Sequence, residues 1–473
     1  MAARTLTILA PLSRNLPDGV LRVRISDPDG RGVAQESVST GFDLAPSAVV
    51  RIAEEDVRLW DVGDPQLYGV EVTVLAGAHG AELDRVRSYA ALRSVSIDGN
   101  SFRLNGRRVF QRLVLDQGYW PESLMTAPSD QALIDDIELS MAAAFNGARL
   151  HQKVFEERFL FHADLRGYLV RGEFGDWGVS GQGPVGHNQK PDASVVAQWV
   201  EAVRRDVNHP SIVGWCPLNE THQVLHDRIT VLDDATQAMF WATRLADPTR
   251  PVIDASGYSH RVRETDVYDS HSYEQDPEAF RAEQAGLAHG DPHVNRHHGG
   301  EIALPHERPE YSVPYAGQPL LISEYGGIWW NEEEASASRP DAESVVQDQA
   351  DSWGYGNRVR REEEFYERFE GLTNVLLDDP TMFGYCYAQL TDVFQERNGI
   401  YGFDRGGSST SIGCVGCSSA PRRMSCGRIE AVGDRAAFER SGVAPGPRTG
   451  PALRLVHECC GTSSRERLAT PAP

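Results

Sequence analysis

The stretch GWCPLNE, residues 214–220, places an amide and a carboxylate, Asn219 and Glu220, at the end of an apolar run. Upstream, VVAQWVEAVRRDVNHP has Val196, Trp199, Val200 and Val203 at helical spacing, Arg204 and Arg205 near its C-terminal end, and Pro210 as a stop. The order is therefore helix, stop, buried strand, polar tip. Taken alone, Asn-Glu reads first as a cap for a following helix, since Asn219, Glu220 and Thr221 can all serve its first amides. A second strand of the same grammar separates the two readings. QPLLISEYGG, residues 318–327, is an apolar strand ending on Ser323 and Glu324, followed by glycines that let a loop pass close by.

Other segments repeat the pattern. RRVFQRLVLD ends on Asp116, GARLHQ on His151, GYLVRGE on Glu173, PVIDASG near Asp254, DVYDSHSYE on His271 and Tyr273, and MFGYCYAQLTD on Gln389 and Asp392. Helical patterns separate most of them. In SDQALIDDIELSMAAAF, Ser129 or Asp130 caps and Leu133, Ile134, Ile137 and Met141 line one face; REEEFYERFEGLTNVLL does the same with Phe365, Phe369, Leu372 and Leu376. Eight strand candidates over roughly three hundred residues from Val109 match the size of a (β/α)8 TIM barrel, whose strand tips open onto one face. Glu220 then tips the fourth strand and Glu324 the seventh.

At this point the chain resembles glycoside hydrolase family 2, the group of β-galactosidases, β-glucuronidases and β-mannosidases. The resemblance rests on NHPSIVGWCPLNE, LLISEYGG, FNGARLHQKVFEERFLFHADLRGYL, RLVLDQGYWPE and GYCYAQLTDVFQERNGIY, and runs from residue 1 to about residue 405. It implies a retaining β-glycosidase with Glu220 as acid/base and Glu324 as nucleophile. Such enzymes use one carboxyl group to protonate the leaving oxygen and a second, roughly 5 to 5.5 Å away, to form a covalent glycosyl-enzyme. Glu220 would need a raised pKa from its neighbour's charge and an apolar wall at Trp215, while Glu324 stays ionised. Asn219 would bind the hydroxyl next to the anomeric centre. Asp116, His151, His271 and Trp330 are further substrate-binding candidates, as tip residues of this fold, though a tip His or Asp also serves as a strut for the next loop. Arg171 stands where related sequences tend to carry an aromatic; pointing into the barrel mouth, it would favour anionic or highly hydroxylated sugars.

The 473 residues allow two or three domains. A net charge of −22 argues against nucleic acid and anionic membranes as partners. No apolar run reaches the roughly 18 residues of a membrane span, and the N-terminus lacks a sustained signal-peptide core, so a cytoplasmic enzyme with a carbohydrate substrate is expected. A homo-oligomer stays open. No cofactor is implied. The histidines of HGDPHVNRHHGGEIALPHERPE, residues 289–310, follow no ligand spacing and read as a surface loop between the sixth and seventh strands, so no metal site is expected.

Residues 1–98 differ in kind. TLTILA, VLRVRIS, SAVVRI, YGVEVTVL and DRVRSYAAL alternate in polarity between Gly-rich turns, the pattern of an antiparallel sandwich, and RLWDVGDPQLYGVEV resembles the immunoglobulin-like domain that precedes the family 2 barrel. The expected architecture is thus α/β, a TIM barrel over 99–405 preceded by an immunoglobulin-like β-sandwich over 1–98. The family normally opens with a further jelly-roll domain. Residues 405–473 hold ten Arg, no Lys, five acidic residues and five of the seven Cys. Cys414, Cys417, Cys426, Cys459 and Cys460 fit no four-ligand zinc module, and 406–473 reads as a disordered tail. The missing front domain and this tail motivate a second reading, a truncated, weakly active or inactive relative that binds carbohydrate.

Overall fold

The computed structural model describes residues 4–175, 193–220, 231–257, 260–295, 312–331, 352–405 and 454–456. Two compact units divide the chain, one containing residues 1–60, 66–94 and 433–473, the other 61–65 and 95–432.

The first unit is antiparallel. Strands β1 (Thr5–Leu9), β2 (Val20–Ser26), β3 (Gly32–Ser39), β4 (Ser47–Arg51), β5 (Tyr68–Leu75) and β6 (Glu82–Ala90) form a four-stranded sheet in the order β3-β2-β5-β6 and a smaller sheet containing β1 and β4. Period-two alternation explains the core: Leu6 and Ile8, Leu21, Val23 and Ile25, Ala48 and Val50, and Tyr68, Val70 and Val72 all turn inward. Strand β3, GVAQESVS, escaped the sequence reading because it buries none of its side chains fully. Of the tail, Arg454–Val456 is described, as a short strand pairing antiparallel with Thr7–Leu9 of β1. The remaining residues of the tail read as disordered, 406–453 and 457–473, lie outside the described residues. The helix candidate RIEAVGDRAAFERS and the tail cysteines lie outside the described residues.

The second unit opens with an antiparallel sheet of β7 (Val95–Asp98), β8 (Ser101–Leu104) and β9 (Arg107–Arg108), which the sequence reading did not resolve. A parallel sheet follows. It contains β10 (Gln111–Asp116), β11 (Gly147–Leu150), β12 (Leu169–Glu173), β13 (Ile212–Cys216), β14 (Tyr268–Ser272), β15 (Leu320–Tyr325) and β16 (Gly384–Tyr387), in the order β13-β12-β11-β10-β16-β15-β14. Helices α1 (Asp130–Ala142), α2 (Glu157–Arg166), α3 (Ala193–Asp206), α4 (Val231–Ala246), α5 (Pro277–Gln284) and α6 (Glu362–Asp378) alternate with the strands. The Ser129 side chain caps α1 by accepting from the Ala132 amide at 3.1 Å. This is a TIM-barrel-like fold.

The fifth strand candidate, PVIDASG, is not a regular strand. It touches the end of β13 through single bridges, Trp215 to Val252 and Asn219 to Ser256. Its polar side chains explain why. Asp254 accepts from the amides of Arg261 at 2.6 Å and Val262 at 2.8 Å and from the His260 ring at 2.7 Å, so the chain is drawn into side-chain bonding rather than a ladder.

Trp215 faces outward, contrary to its expected place as a wall beside Glu220. Its ring packs edge-on against Trp199 of α3, and its Nε1 donates to Asp247 at 2.7 Å. Asp247 is fully buried and also accepts from Arg250 at 2.6 Å. Burial would raise its pKa, but Arg250, Thr249 and Trp215 together hold it at about 2. Arg250 in turn donates to the carbonyls of Ile212 and His209. This lock sets the start of β13 and hence the height of Asn219 and Glu220. Replacing Asp247 with Ala leaves a buried guanidinium unpaired and is expected to cost about 3–5 kcal/mol in urea unfolding; a loss under about 1 kcal/mol would show that the lock does not hold β13.

Candidate functional site

The strand tips bring five of the seven expected site residues together: Asn219, Glu220, Glu324, His151 and His271. Strands β14 and β15 shift register between Ser270 and His271, which sets His271 directly opposite Glu324. From there its Nδ1 is 2.9 Å from Glu220 Oε1 and its Nε2 is 3.5 Å from Glu324 Oε1. A carboxylate oxygen of Glu220, a ring nitrogen of His271 and a carboxylate oxygen of Glu324 all lie within 4.8 Å of one another. The close fit needs Gly257, at φ +84°, because a Cβ there would sit 2.8 Å from the His271 ring. Asn295 fixes the imidazole's backbone from the following loop, accepting from the His271 amide at 2.7 Å and donating to its carbonyl at 2.8 Å. His293, in the histidine-rich loop, has a ring nitrogen 3.2 Å from the same carbonyl; the remainder of that loop from residue 296 lies outside the described residues.

Arg149 organises the floor. It lies in β11 and is buried, with side-chain exposure of 2%. Its guanidinium donates to Glu324 Oε1 at 2.6 Å, to the Ser323 carbonyl at 3.1 Å, to both oxygens of Glu173 and to Asn219 Oδ1. One buried cation thus holds two carboxylates and the amide in a fixed relation. Tyr273 donates its hydroxyl to the other oxygen of Glu324 and stacks face to face on Tyr355, with centroids 3.5 Å apart. Burial alone would raise the Glu324 pKa, yet His271, Arg149 and the Tyr273 hydroxyl hold it down to about 2.

His271 and His151 respond differently to the same burial. Burial disfavours the imidazolium of both. For His271 the two flanking carboxylates win and the pKa is raised, whereas His151 falls to about 3 and stays neutral. His151 Nδ1 lies 3.7 Å from Glu173 and 3.9 Å from Glu324. Glu220 is the more open carboxylate, with about a third of its side chain exposed. It sits at φ +50°, a left-handed conformation uncommon for a residue with a side chain. Its backbone amide donates to the Ser256 carbonyl at 2.8 Å, which holds that conformation.

Asp116 and Trp330 stand apart; no contact of either with the two carboxylates is seen among the described residues. Asp116 is a strut, accepting from the Gly118 amide at 2.8 Å. Burial and the nearby Asp136 push its pKa up to about 7. The Trp330 amide donates to the Arg397 carbonyl at 2.9 Å, tying the loop after β15 to the loop after β16. Arg171 does not reach the mouth. It is buried lower in the barrel, where its Nε donates to Gln111 Oε1 at 2.9 Å and its guanidinium lies 5.7 Å from the Phe383 ring centroid. Gln111 is the first residue of β10, at the opposite end from Asp116, so Arg171 carries no bias for the sugar.

Arg149 was not singled out in the sequence. Its signal was parity: in a strand, residues two apart share a face, so Arg149 faces the same way as the tip residue His151. Among the described residues, two triads could geometrically hold a metal ion, Glu157 with Asp206 and His209, and Glu220 with His271 and Glu324. In the second, Glu324 already has Arg149 and Glu220 already has His271 as partner.

Residues 129–334 match the TIM barrel domain of glycosyl hydrolases family 2. The chain is 26% identical over 245 residues to a β-glucuronidase of Paenibacillus borealis, a match covering 50% of this chain and 38% of that protein. It is 25% identical over 289 residues to a β-galactosidase of Thermoanaerobacterium thermosulfurigenes, covering 59% of this chain and 38% of the relative. The matched region is thus well under half the length of either relative. The fold is also similar to solved β-glucuronidases, that of Dictyoglomus thermophilum (TM-score 0.62, 17% identity, 86% of this chain and 67% of that one) and that of Ruminococcus gnavus (TM-score 0.62, 18% identity, 83% and 62%). A parallel, TIM-barrel-like sheet with carboxylates gathered at its strand tips, together with the match over residues 129–334, identifies that region as similar to the TIM barrel domain of glycosyl hydrolases family 2.

Proposed function

We propose that this chain is a retaining β-glycosidase, with Glu324 as nucleophile and Glu220 as acid/base. The observation that carries the reading is the spacing: an oxygen of each carboxylate lies within 4.8 Å of the other, which suits the close pair of carboxyl groups that a double displacement uses. The contrast in surroundings supports the assignment. Glu324 is buried and held ionised by Arg149 and Tyr273, as a nucleophile must be, whereas Glu220 is open enough to meet a leaving group and a water. Asn219, fixed by Arg149, lies next to the acid/base in sequence and suits the hydroxyl neighbouring the anomeric carbon. The antiparallel unit is read as an immunoglobulin-like domain from its alternating strands, and the acidic chain as a cytoplasmic enzyme; among the described residues no helix is long and apolar enough to cross a membrane.

Azide tests the acid/base. In Glu220→Ala, hydrolysis of a dinitrophenyl glycoside is expected to slow and then to recover by about tenfold or more with azide, yielding the β-glycosyl azide, because a small anion can attack the glycosyl-enzyme without base assistance. A folded variant that azide leaves unchanged would place the acid/base elsewhere.

A further inference from the structure

Between the tips of β10 and β16 lies a polar cluster that the reading above leaves without a role. Gln117 Nε2 donates to Gln389 Oε1 at 2.6 Å and, at a longer 3.4 Å, to Glu396 Oε2. Gln389 Nε2 donates to Asn398 Oδ1 at 2.9 Å, and Asn398 Nδ2 donates to Glu396 Oε1 at 3.1 Å, which closes a ring of three amides and one carboxylate. Gln389 and Asn398 are buried, and Glu396 and Gln117 are half-buried. Glu396 belongs to a segment pinned from the aromatic side of the mouth: the Trp353 amide donates to the Gln395 carbonyl at 2.8 Å and the Arg397 amide to the Trp353 carbonyl at 2.7 Å. Two residues on from Trp353, Tyr355 stacks on the Tyr273 that holds Glu324. Glu396 is close enough to Glu324 for their charges to repel.

We infer that the cluster of Gln117, Gln389, Glu396 and Asn398 reads the hydroxyls of the bound sugar and fits the site to neutral glycosides rather than uronides. The inference rests on the glycosidase reading and adds its substrate class. Side-chain amides and a carboxylate joined in a ring present both donors and acceptors, the combination that a hydroxyl, itself donor and acceptor, can satisfy. A uronate offers only acceptors at its carboxylate. At Glu396 it would meet a third carboxylate whose described partners are all neutral amides. Burial and the nearby Glu324 already push the Glu396 pKa up to about 7, so a further anion would face either a negative charge or the cost of taking up a proton. The cations described around the mouth are engaged elsewhere. Arg149 holds Glu173 and Glu324, Arg397 pairs with Asp392 at 3.1 Å, and Lys153 donates to the Gly118 carbonyl at 2.6 Å. This separates the chain from its structural neighbours, whose likeness is one of fold.

The test uses the full chain and two probes that differ only at the exocyclic carbon, isofagomine and its uronic counterpart, titrated calorimetrically above the Glu396 pKa. Isofagomine is expected to bind at least about tenfold more tightly, Glu396→Gln to narrow the gap to within about threefold, and Glu396→Lys to favour the uronic probe. Glu396→Gln is isosteric and removes the charge at the cost of one of the two bonds the carboxylate accepts, from Gln117 or from Asn398, and a melting temperature that stays close to that of the unmodified chain separates a selectivity change from misfolding. Equal or tighter binding of the uronic probe to the unmodified chain overturns the inference, as does binding of neither, or a gap that Glu396→Gln leaves intact. Incubation with 2-deoxy-2-fluoro glycosides keeps the two claims apart. Preference for isofagomine without labelling of Glu324 would sink the retaining mechanism alone; labelling of Glu324 by the fluoro-glucuronide in preference to the fluoro-glucoside would sink the neutral-sugar assignment alone.

Discussion

Glu324→Gln is expected to lose turnover by about four orders of magnitude or more, the scale seen when a covalent nucleophile is removed. The amide cannot attack the anomeric carbon, but its oxygen can still accept from Arg149 while its NH2 donates to the Tyr273 hydroxyl, so the variant should fold. The same variant should escape labelling by a 2-deoxy-2-fluoro glycoside, which in the unmodified chain would add its glycosyl mass to the peptide containing Glu324. Labelling that persists in the variant would move the nucleophile elsewhere, and near-normal turnover would remove the double displacement altogether.

Replacing Arg149 with Met should produce a large loss of stability. The side chain is nearly inaccessible and pairs with both Glu173 and Glu324, so its removal leaves two buried carboxylates facing each other without their shared cation. Breaking a buried ion network by deleting one partner costs about 3–5 kcal/mol, and denaturant unfolding should show a loss of that order. A second readout separates positioning from mere structure. Arg149 helps hold the Glu324 pKa below its ordinary 4.5, at about 2. A carboxylate with a depressed folded pKa contributes stability that is complete above its unfolded value and is lost as the pH falls through the folded one, here between about 4.5 and about 2. Without Arg149 the folded pKa rises, so this acid-side contribution shrinks and the acid limb of kcat/KM moves upward. A variant that is destabilised but has an unmoved acid limb would confine Arg149 to a structural role.

Much of this was legible beforehand because barrel strands advertise themselves. A short apolar run ending in a polar residue, repeated at helix-length intervals, implies a parallel sheet whose tips share a face, and Glu220, Glu324, Asn219, His151 and His271 were picked out by that rule and by family resemblance. The exceptions share a cause. PVIDASG has strand composition, but Asp254 draws the chain into side-chain bonds with His260, Arg261 and Val262. Arg171 and Trp215 were placed by proximity along the chain to Glu173 and Glu220. Each instead follows its own strand's height and facing, Arg171 down towards Gln111 and Trp215 out towards Trp199.

The sequence by itself determined the order of elements, the strand tips and the pair of carboxylates, because periodicity and terminators are local properties of the chain. Only the tertiary structure decided how those tips act on one another. Arg149 and Glu324 are 175 positions apart, and Glu220 and His271 are 51 apart. Their pKa values, their hydrogen bonds and the polar ring around Glu396 depend on distances that arise only when the strands close side by side, and a charge responds to what is near it in space rather than along the chain.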